Sequence, residues 1–466
     1  MQVASLKKYQ LQIIAGLYLI VSILTLLLFN GTGGEADSIN HYLFARYAPD
    51  HPELFLNHWA KPLFTLLASP FAQFGFIGVK VLNGFMGLIS VIFTFKIAQQ
   101  FKLKHAILAP LFYFIFPLSF LVNYSGFTEP LFAAMLCISI YCCLKNKLAV
   151  AAIIVSFMPF VRSEGLLFIG LFGLYFMLSK KYRCIFYLLI GHLIFAAVGF
   201  FFGESPLWVA TKIPYASLQS HYGSGELIHF AEQLIYMTGV PLIIFLLLGL
   251  IRSIAFKKWI VPHHKLTFST LLVGGFLLFF IAHSLFWYLG IFNSMGLKRV
   301  FGAITPLMAI LALIGFNLLD KIRSNGLKKT LQLLILGYIF IFPFTSNPAA
   351  IDWKKDMNLS KAQQTAENAA DYILSSDTLK NKRFIYTDPY LGHALKIDPF
   401  DIEQQLILSP QVFSELRKGD VIIWDNWHSV IDYGVELSLL EQHHGLRKLK
   451  QFDNNGVKYV VWIMNK

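Results

Sequence analysis

The chain has 466 residues, of which 56% are hydrophobic, 16% aromatic and only 14% charged, with a mean hydropathy of +0.59. Soluble domains carry about a quarter charged residues, so this composition excludes an ordinary soluble enzyme and indicates a polytopic membrane protein. The formal charge of +13 is uneven: residues 1–346 hold 25 Lys/Arg against 10 Asp/Glu and residues 347–466 hold 14 against 16, which fits basic membrane loops and not a nucleic-acid-binding face.

In chain order, the apolar run 11–29 follows Lys7 and Lys8. It is longer than a signal-peptide core and has no small-x-small cleavage site before Asn30, so it reads as an uncleaved first span over 10–29. The stretch "GGEADSINHYLFAR" (33–46) then brings the first two acids, Glu35 and Asp37. Ile39, Leu43 and Tyr47 have helical spacing, which predicts a short interfacial helix over 36–47. Asp37 and His41, at i and i+4, share its other face. A plain N-cap aspartate on a solvated face is the bland reading of that pair.

Next comes "NHWAKPLF" (57–64), with His58 and Lys61 ahead of Pro62. The apolar stretch 62–74 is too short to span and predicts a half-inserted helix. A lysine at its start could hold a phosphate as a point charge or simply snorkel. Ten further spans are predicted over 77–99, 105–122, 128–144, 148–161, 164–179, 184–202, 232–252, 267–289, 299–319 and 329–346. Cys137, Cys142, Cys143 and Cys184 lie within or beside these apolar stretches and imply neither a disulfide framework nor a metal site. In "PFVRSEGLLF" (159–168), Arg162 and Glu164 flank two short spans, where they could pair or leave the arginine to bind phosphate. In "GIFNSMGLKRVFGAITP" (290–306), Lys298 and Arg299 open a late span.

With Lys7 and Lys8 inside, 18 basic residues fall in cytoplasmic connections and 7 outside. That bias supports eleven spans, a cytoplasmic N-terminus and an extracytoplasmic tail. Nine of the ten acids before residue 347 fall on the outer side, Asp320 being the exception. Lys298 and Arg299 sit outside against the trend, which suggests a bound anion or a lipid headgroup.

The tail from about 350 looks globular. Residues 361–376 have helical spacing, while 383–388, 420–425 and 457–464 read as strands. His443 and His444 lack the companion ligands of a metal site and read as exposed loop residues. The expected architecture is an all-α polytopic membrane bundle of about eleven transmembrane helices (residues 1–346) with a small C-terminal α/β extracytoplasmic domain (residues 347–466).

A carboxylate pair, a histidine and four cations on one face fit surface chemistry: a base for a hydroxyl and cations for a departing lipid phosphate. The four polar stretches, in this order and on this layout, resemble the GT-C superfamily of integral membrane glycosyltransferases. They are most similar to polyprenyl-phosphate-sugar-dependent enzymes related to protein O-mannosyltransferases and lipid A aminoarabinose transferases. "GGEADSINHY" stands where the family carries its catalytic acid; "HWAKPLF", "TEPLF" (128–132), "VRSEG" and "GLKRVFGAITP" resemble its later motifs. The resemblance implies Asp37 as the catalytic carboxylate, acting as general base, with Glu35 as the alternative. It implies Lys61, Arg162, Lys298 and Arg299 as donor-phosphate ligands, and His41, His58, Glu129 and Glu164 in support.

The implied reaction is inverting transfer of a mannose-like hexose or a pentose. The sugar passes from a polyprenyl-phosphate donor to a hydroxyl of a protein, glycan or lipid acceptor at the outer face of a bacterial plasma membrane. A divalent cation could bridge acid and phosphate, although no protein ligand set for a metal stands out. Two rivals share the same residues: a transporter or flippase for a lipid-linked or anionic solute, and a membrane scaffold presenting the tail.

Overall fold

The computed structural model describes residues 9–34, 36–214, 219–220, 222–255, 260 and 262–465. Glu35, Lys7 and Lys8 lie outside the described residues. Six described helices are long and apolar enough to cross a membrane: Gln10–Leu28, Phe76–Gln100, Arg183–Phe201, Pro262–Leu289, Lys298–Lys321 and Asn325–Phe344. Much of the outer surface is bare hydrocarbon, as at Leu27, Phe186 and Phe201. A soluble protein would not leave so much uncovered, and the chain is an integral membrane protein.

Helix α1 (Gln10–Leu28) is the first span. Gly33 and Gly34 follow it with φ of 93° and 77°, a conformation that costs glycine little, and turn the chain into α2 (Ala36–Tyr47). The predicted interfacial helix is present, and Ser38, Ile39, His41, Tyr42, Leu43 and Ala45 are all buried. Pro62 opens α3 (Pro62–Ala72), where its missing N–H leaves no bond unmade. Helix α4 (Phe76–Gln100) is a full-length span.

The expected span 105–122 is two helices, α5 (Leu108–Ile115) and α6 (Pro117–Asn123). Pro117 cannot continue the ladder, and Phe116 before it takes ψ of 125°. Helices α7 (Glu129–Leu144), α8 (Leu148–Phe157) and α9 (Gly165–Leu178) have at most 16 residues. At 1.5 Å per residue even the longest reaches about 24 Å, short of a ~30 Å hydrocarbon core without help from flanking turns. The expected span 184–202 contains α10 (Arg183–Tyr187) and α11 (Ile190–Phe201). The span expected over 232–252 is α12 (His229–Thr238) and α13 (Val240–Ala255), parted at Gly239. Helices α14 (Gly274–Leu289), α15 (Thr305–Phe316) and α16 (Asn325–Ile341) complete the bundle. Helices α13 and α15 touch backbone to backbone. A Cβ on Gly249 would stand 1.8 Å from the Leu311 carbonyl oxygen, and one on Gly315 would stand 1.9 Å from that of Phe245.

The tail folds around a five-stranded sheet of order β2-β1-β3-β5-β4. Strands β1 (Phe384–Tyr386), β2 (Gln405–Ile407) and β3 (Val421–Asp425) are parallel, and β5 (Val457–Met464) runs antiparallel to both β3 and β4 (Leu446–Asn454). Helix α17 (Lys361–Leu374) starts with a capping box between Ser360 and Gln363 and buries Ala366, Ala369, Ala370 and Ile373 in the core shared with the sheet. Helix α18 (Pro389–Leu395) packs against α2, so the tail rests on the segment that carries Asp37. His444 is exposed, and His443 is half-buried beside Phe413.

Candidate active site

Five segments distant in sequence converge at the end of the bundle beneath the tail. Asp37 occupies the first turn of α2, where the helix dipole favours a carboxylate. Its Oδ2 accepts a hydrogen bond from Nη2 of Arg299, 262 residues away. Arg299 stands near the start of a 3-10 turn, Lys298–Ile304, which leads into α15. Gly302 in that turn lies against Glu129 Cβ, which brings Arg299 close to the N-terminus of α7. Nη1 of Arg299 is 3.3 Å from Glu129 Oε1, and its guanidinium lies 4.4 Å from the centre of the Phe127 ring.

Glu129 is fully buried and joins two arginines: Arg162 Nη1 is 2.7 Å from the same Oε1. Arg162 also donates to Thr128 Oγ1 at 3.2 Å and to Glu164 Oε1 at 2.6 Å. Lys61 donates to Ser163 Oγ at 3.0 Å, which brings the "AKPLF" stretch against "VRSEG". Its backbone is held at φ of 70°, a strained conformation for lysine that costs about 1–3 kcal/mol and commonly marks a functional position. Burial pulls the Lys61 ammonium down to about 8.

His41 is buried and stacks on Trp59 at 5.1 Å. Burial lowers it to about 3, with Asp37 opposing and Lys61, Arg299 and Arg162 adding to the shift. The imidazole is therefore neutral and lies within electrostatic reach of all four. His58 is lowered to about 4, first by burial and then by Lys61, and packs against Trp208 and Phe160. Lys298 does not join the cluster; its Nζ stands over the Tyr236 ring at 5.4 Å. Adjacent residues on a helical turn face different ways, so only one of the two cations can point inward.

Among the described residues the cluster sets Asp37, Glu129 and Glu164 against Lys61, Arg162 and Arg299. Burial separates the carboxylates: the side chain of Asp37 is 38% exposed and that of Glu129 is 0% exposed. Asp37 is thus open to an incoming group, while Glu129 is a fixed counter-charge. Glu129 Oε2, Arg162 Nε and His41 Nδ1 are buried with no hydrogen-bond partner among the described residues, and such atoms mark room for water or a polar ligand. No three His, Cys, Asp or Glu side chains among the described residues form a group that could hold a metal ion. A separate cavity of about 550 Å³ between Tyr42, Arg46, Tyr390 and His393 shares none of these residues.

Sequence reasoning missed Thr128, Ser163 and His283, whose Nε2 stands 3.6 Å from Glu164 Oε1. The first two lie inside quoted motifs. His283 offered the signal of an ionisable residue within a span.

No known protein family and no curated protein matches this sequence. Among solved structures, the chain is similar to ArnT from Cupriavidus metallidurans bound to undecaprenyl phosphate, with a TM-score of 0.59 at 10% identity over 96% of this chain and 97% of that one. It is equally similar to the apo state of the same protein, with a TM-score of 0.59 at 11% identity over the same shares. At such identity the likeness concerns the fold: a membrane helix bundle followed by a small sheet domain.

Proposed function

We propose that this chain is an integral membrane glycosyltransferase that uses a polyprenyl-phosphate sugar. The observation that carries the reading is that Asp37, the solvent-reachable carboxylate, meets Arg299, that Arg299 and Arg162 share the buried Glu129, and that Lys61 joins them through Ser163, the neighbour of Arg162. In support stand the ordered motifs that resemble the GT-C superfamily and the fold shared with a protein crystallised with undecaprenyl phosphate. In this reading the chain crosses the membrane eleven times, with the N-terminus in the cytoplasm and both the cluster and residues 347–466 outside; the excess of basic residues in the inner connections supports it.

In the proposed reaction the lipid lies among the spans with its sugar at the cluster. An acceptor hydroxyl attacks the anomeric carbon and gives its proton to Asp37, with Glu35 as the alternative base. The bond from anomeric carbon to phosphate oxygen breaks on the opposite side, so the configuration inverts. Lys61, Arg162 and Arg299 hold the departing phosphate, which needs no strong general acid. One carboxylate base therefore suffices, unlike the paired carboxyl groups of a glycosidase. Neutral His41 and the carboxylates of Glu129 and Glu164 orient the cations, His58 buttresses Lys61, and Lys298 meets lipid headgroups.

The test is incubation of membranes containing the protein with radiolabelled polyprenyl-phosphate hexoses and pentoses. Label should pass to a protein, glycan or lipid fraction in a protein-dependent way. Movement of the intact lipid-linked sugar across the bilayer without transfer would replace the enzyme with a flippase.

A further inference from the structure

The loop that precedes Asp37 is buried on two sides, and one side belongs to the tail. From below, Lys80 of α4 donates to the carbonyl oxygens of Phe29 and Gly31, both at 3.0 Å. From above, the Gly31 N–H donates to the Met357 carbonyl at 2.8 Å. A Cβ on Gly31 would stand 2.5 Å from that peptide group, so the two backbones are as close as they can be. Gln363 of α17 then reaches down. Its Oε1 accepts from the Ser360 N–H at 3.1 Å, completing the capping box, and its Nε2 donates to Thr32 Oγ1 at 2.6 Å.

The chain of contacts continues to the site. The Thr32 carbonyl accepts from Ser38 Oγ, on the residue next to Asp37, and Ser38 Oγ accepts from the Gly126 N–H at 2.7 Å. Gly126 lies three residues before Glu129, in a loop that Asn83 of α4 holds through the Ser125 and Phe127 carbonyls at 2.7 and 2.8 Å. Thr32, Ser38, Gln363 and Asn83 are all buried. The far end of α2 is tied to the tail as well. Tyr47 donates to the Ile397 carbonyl at 2.8 Å, and His51 Nε2 stands 2.8 Å from Asp398 Oδ2.

We infer that the C-terminal module clamps the Asp37 segment in place, with Gln363, Thr32 and Ser38 as positioning residues that set the separation of Asp37 from Glu129 and Arg299. Helix α2 has only 12 residues and packs on α3, and the tail adds a grip on the chain before its first turn and at its last residue, so the bundle and the tail fix its axis together. A general base must sit within about 0.5 Å of its productive place, and a shift of about 1 Å costs on the order of 10²-fold in rate. The inference rests on the proposed function only for its kinetic consequence; the clamp itself is a property of the fold.

The test uses the full chain in lipid nanodiscs, comparing Thr32→Val, Gln363→Leu, their double variant and the conservative Thr32→Ser. Amide hydrogen exchange over residues 29–38 should accelerate in the first three and not in Thr32→Ser, with exchange in α4 and α15 unchanged. Turnover kcat should fall by about tenfold or more while KM for the donor stays within about twofold, and the double variant should be no slower than the slower single one. Unchanged exchange over 29–38 overturns the clamp whether or not the protein transfers sugar. Faster exchange with unaltered kcat, or a loss confined to KM, overturns the positioning role. If the wild type transfers nothing yet exchange accelerates, the clamp stands and the proposed function falls. Should Gln363→Leu fail to fold, Thr32→Val set against Thr32→Ser carries the same readings, because it removes the acceptor of the Gln363 amide and leaves the capping box whole.

Discussion

Replacing Asp37 by asparagine separates catalysis from stability at this site. The substitution keeps the side-chain shape and removes one negative charge and one proton acceptor. The contact with Arg299 is partly solvated, the Asp37 side chain being 38% exposed, and Arg299 retains Glu129 at 3.3 Å. A pair in that setting contributes about 1 kcal/mol or less to stability. A positioned general base contributes about 10²–10⁴ in rate, or about 3–5 kcal/mol of barrier. Asp37→Asn should therefore melt near the wild-type temperature and yet lose at least two orders of magnitude in turnover. The assay is single-turnover transfer from a radiolabelled polyprenyl-phosphate sugar at saturating donor, with thermal unfolding on the same preparations. Turnover within about tenfold of wild type refutes the assignment, because no general base is worth so little. Glu35→Gln run alongside distinguishes the alternatives: if it alone abolishes transfer, the base is Glu35.

Lys61, lowered to about 8 by burial, should bind the donor phosphate as a cation below that value, so undecaprenyl-phosphate affinity should fall as pH rises through about 8. Lys61→Arg should flatten that dependence and Lys61→Met should weaken binding by about 10–100-fold, both read by titration calorimetry; a wild-type profile in either would reduce Lys61 to a snorkelling residue. Arg162→Met should cost about 3–5 kcal/mol in thermal unfolding, since it deprives the fully buried Glu129 of its nearer guanidinium, and a loss under about 1 kcal/mol would contradict the buried network. In the tail, burial pulls His428 down, but its hydrogen bond to Asp432 and the charges of Asp388 and Asp425 win and push it up to about 9. Its stabilisation, at most about 3 kcal/mol, is complete below the ordinary histidine value of about 6.5 and is lost as pH rises through about 9. The tail should therefore unfold more readily as pH rises across that window in the wild type and not in His428→Gln.

The elements written in local periodicity were legible from the sequence. The four-residue spacing of Ile39, Leu43 and Tyr47 marked α2, and Pro62 marked the start of α3. Strands β1, β3 and β5 are apolar enough to stand out. Strand β4, "LRKLKQFDN", is a half-exposed edge strand rich in lysine, and β2 is three residues long, so neither carried an apolar pattern. Pro117 and Gly239 announced breaks inside apolar runs that hydropathy alone joins, because a window averages over the one residue that interrupts the ladder.

At the site, the residue types were readable but their pairing was not. Nothing in the neighbourhood of Arg299 indicates that it, and not Lys298, points inward; the phase of a 3-10 turn decides that. Nor does local sequence reveal that Glu129 is fully buried between two arginines, since burial there depends on segments 33 and 170 residues away. The grip of Gln363 on Thr32 spans 331 residues and looks, in sequence, like an ordinary capping box.

The most direct measurement is a structure of the protein in nanodiscs with undecaprenyl phosphate. The account predicts the phosphate among Lys61, Arg162 and Arg299, within reach of the Asp37 carboxylate and with the lipid chain running down between the spans. A phosphate bound at the opposite end of the bundle, or held by residues remote from Asp37, would contradict it.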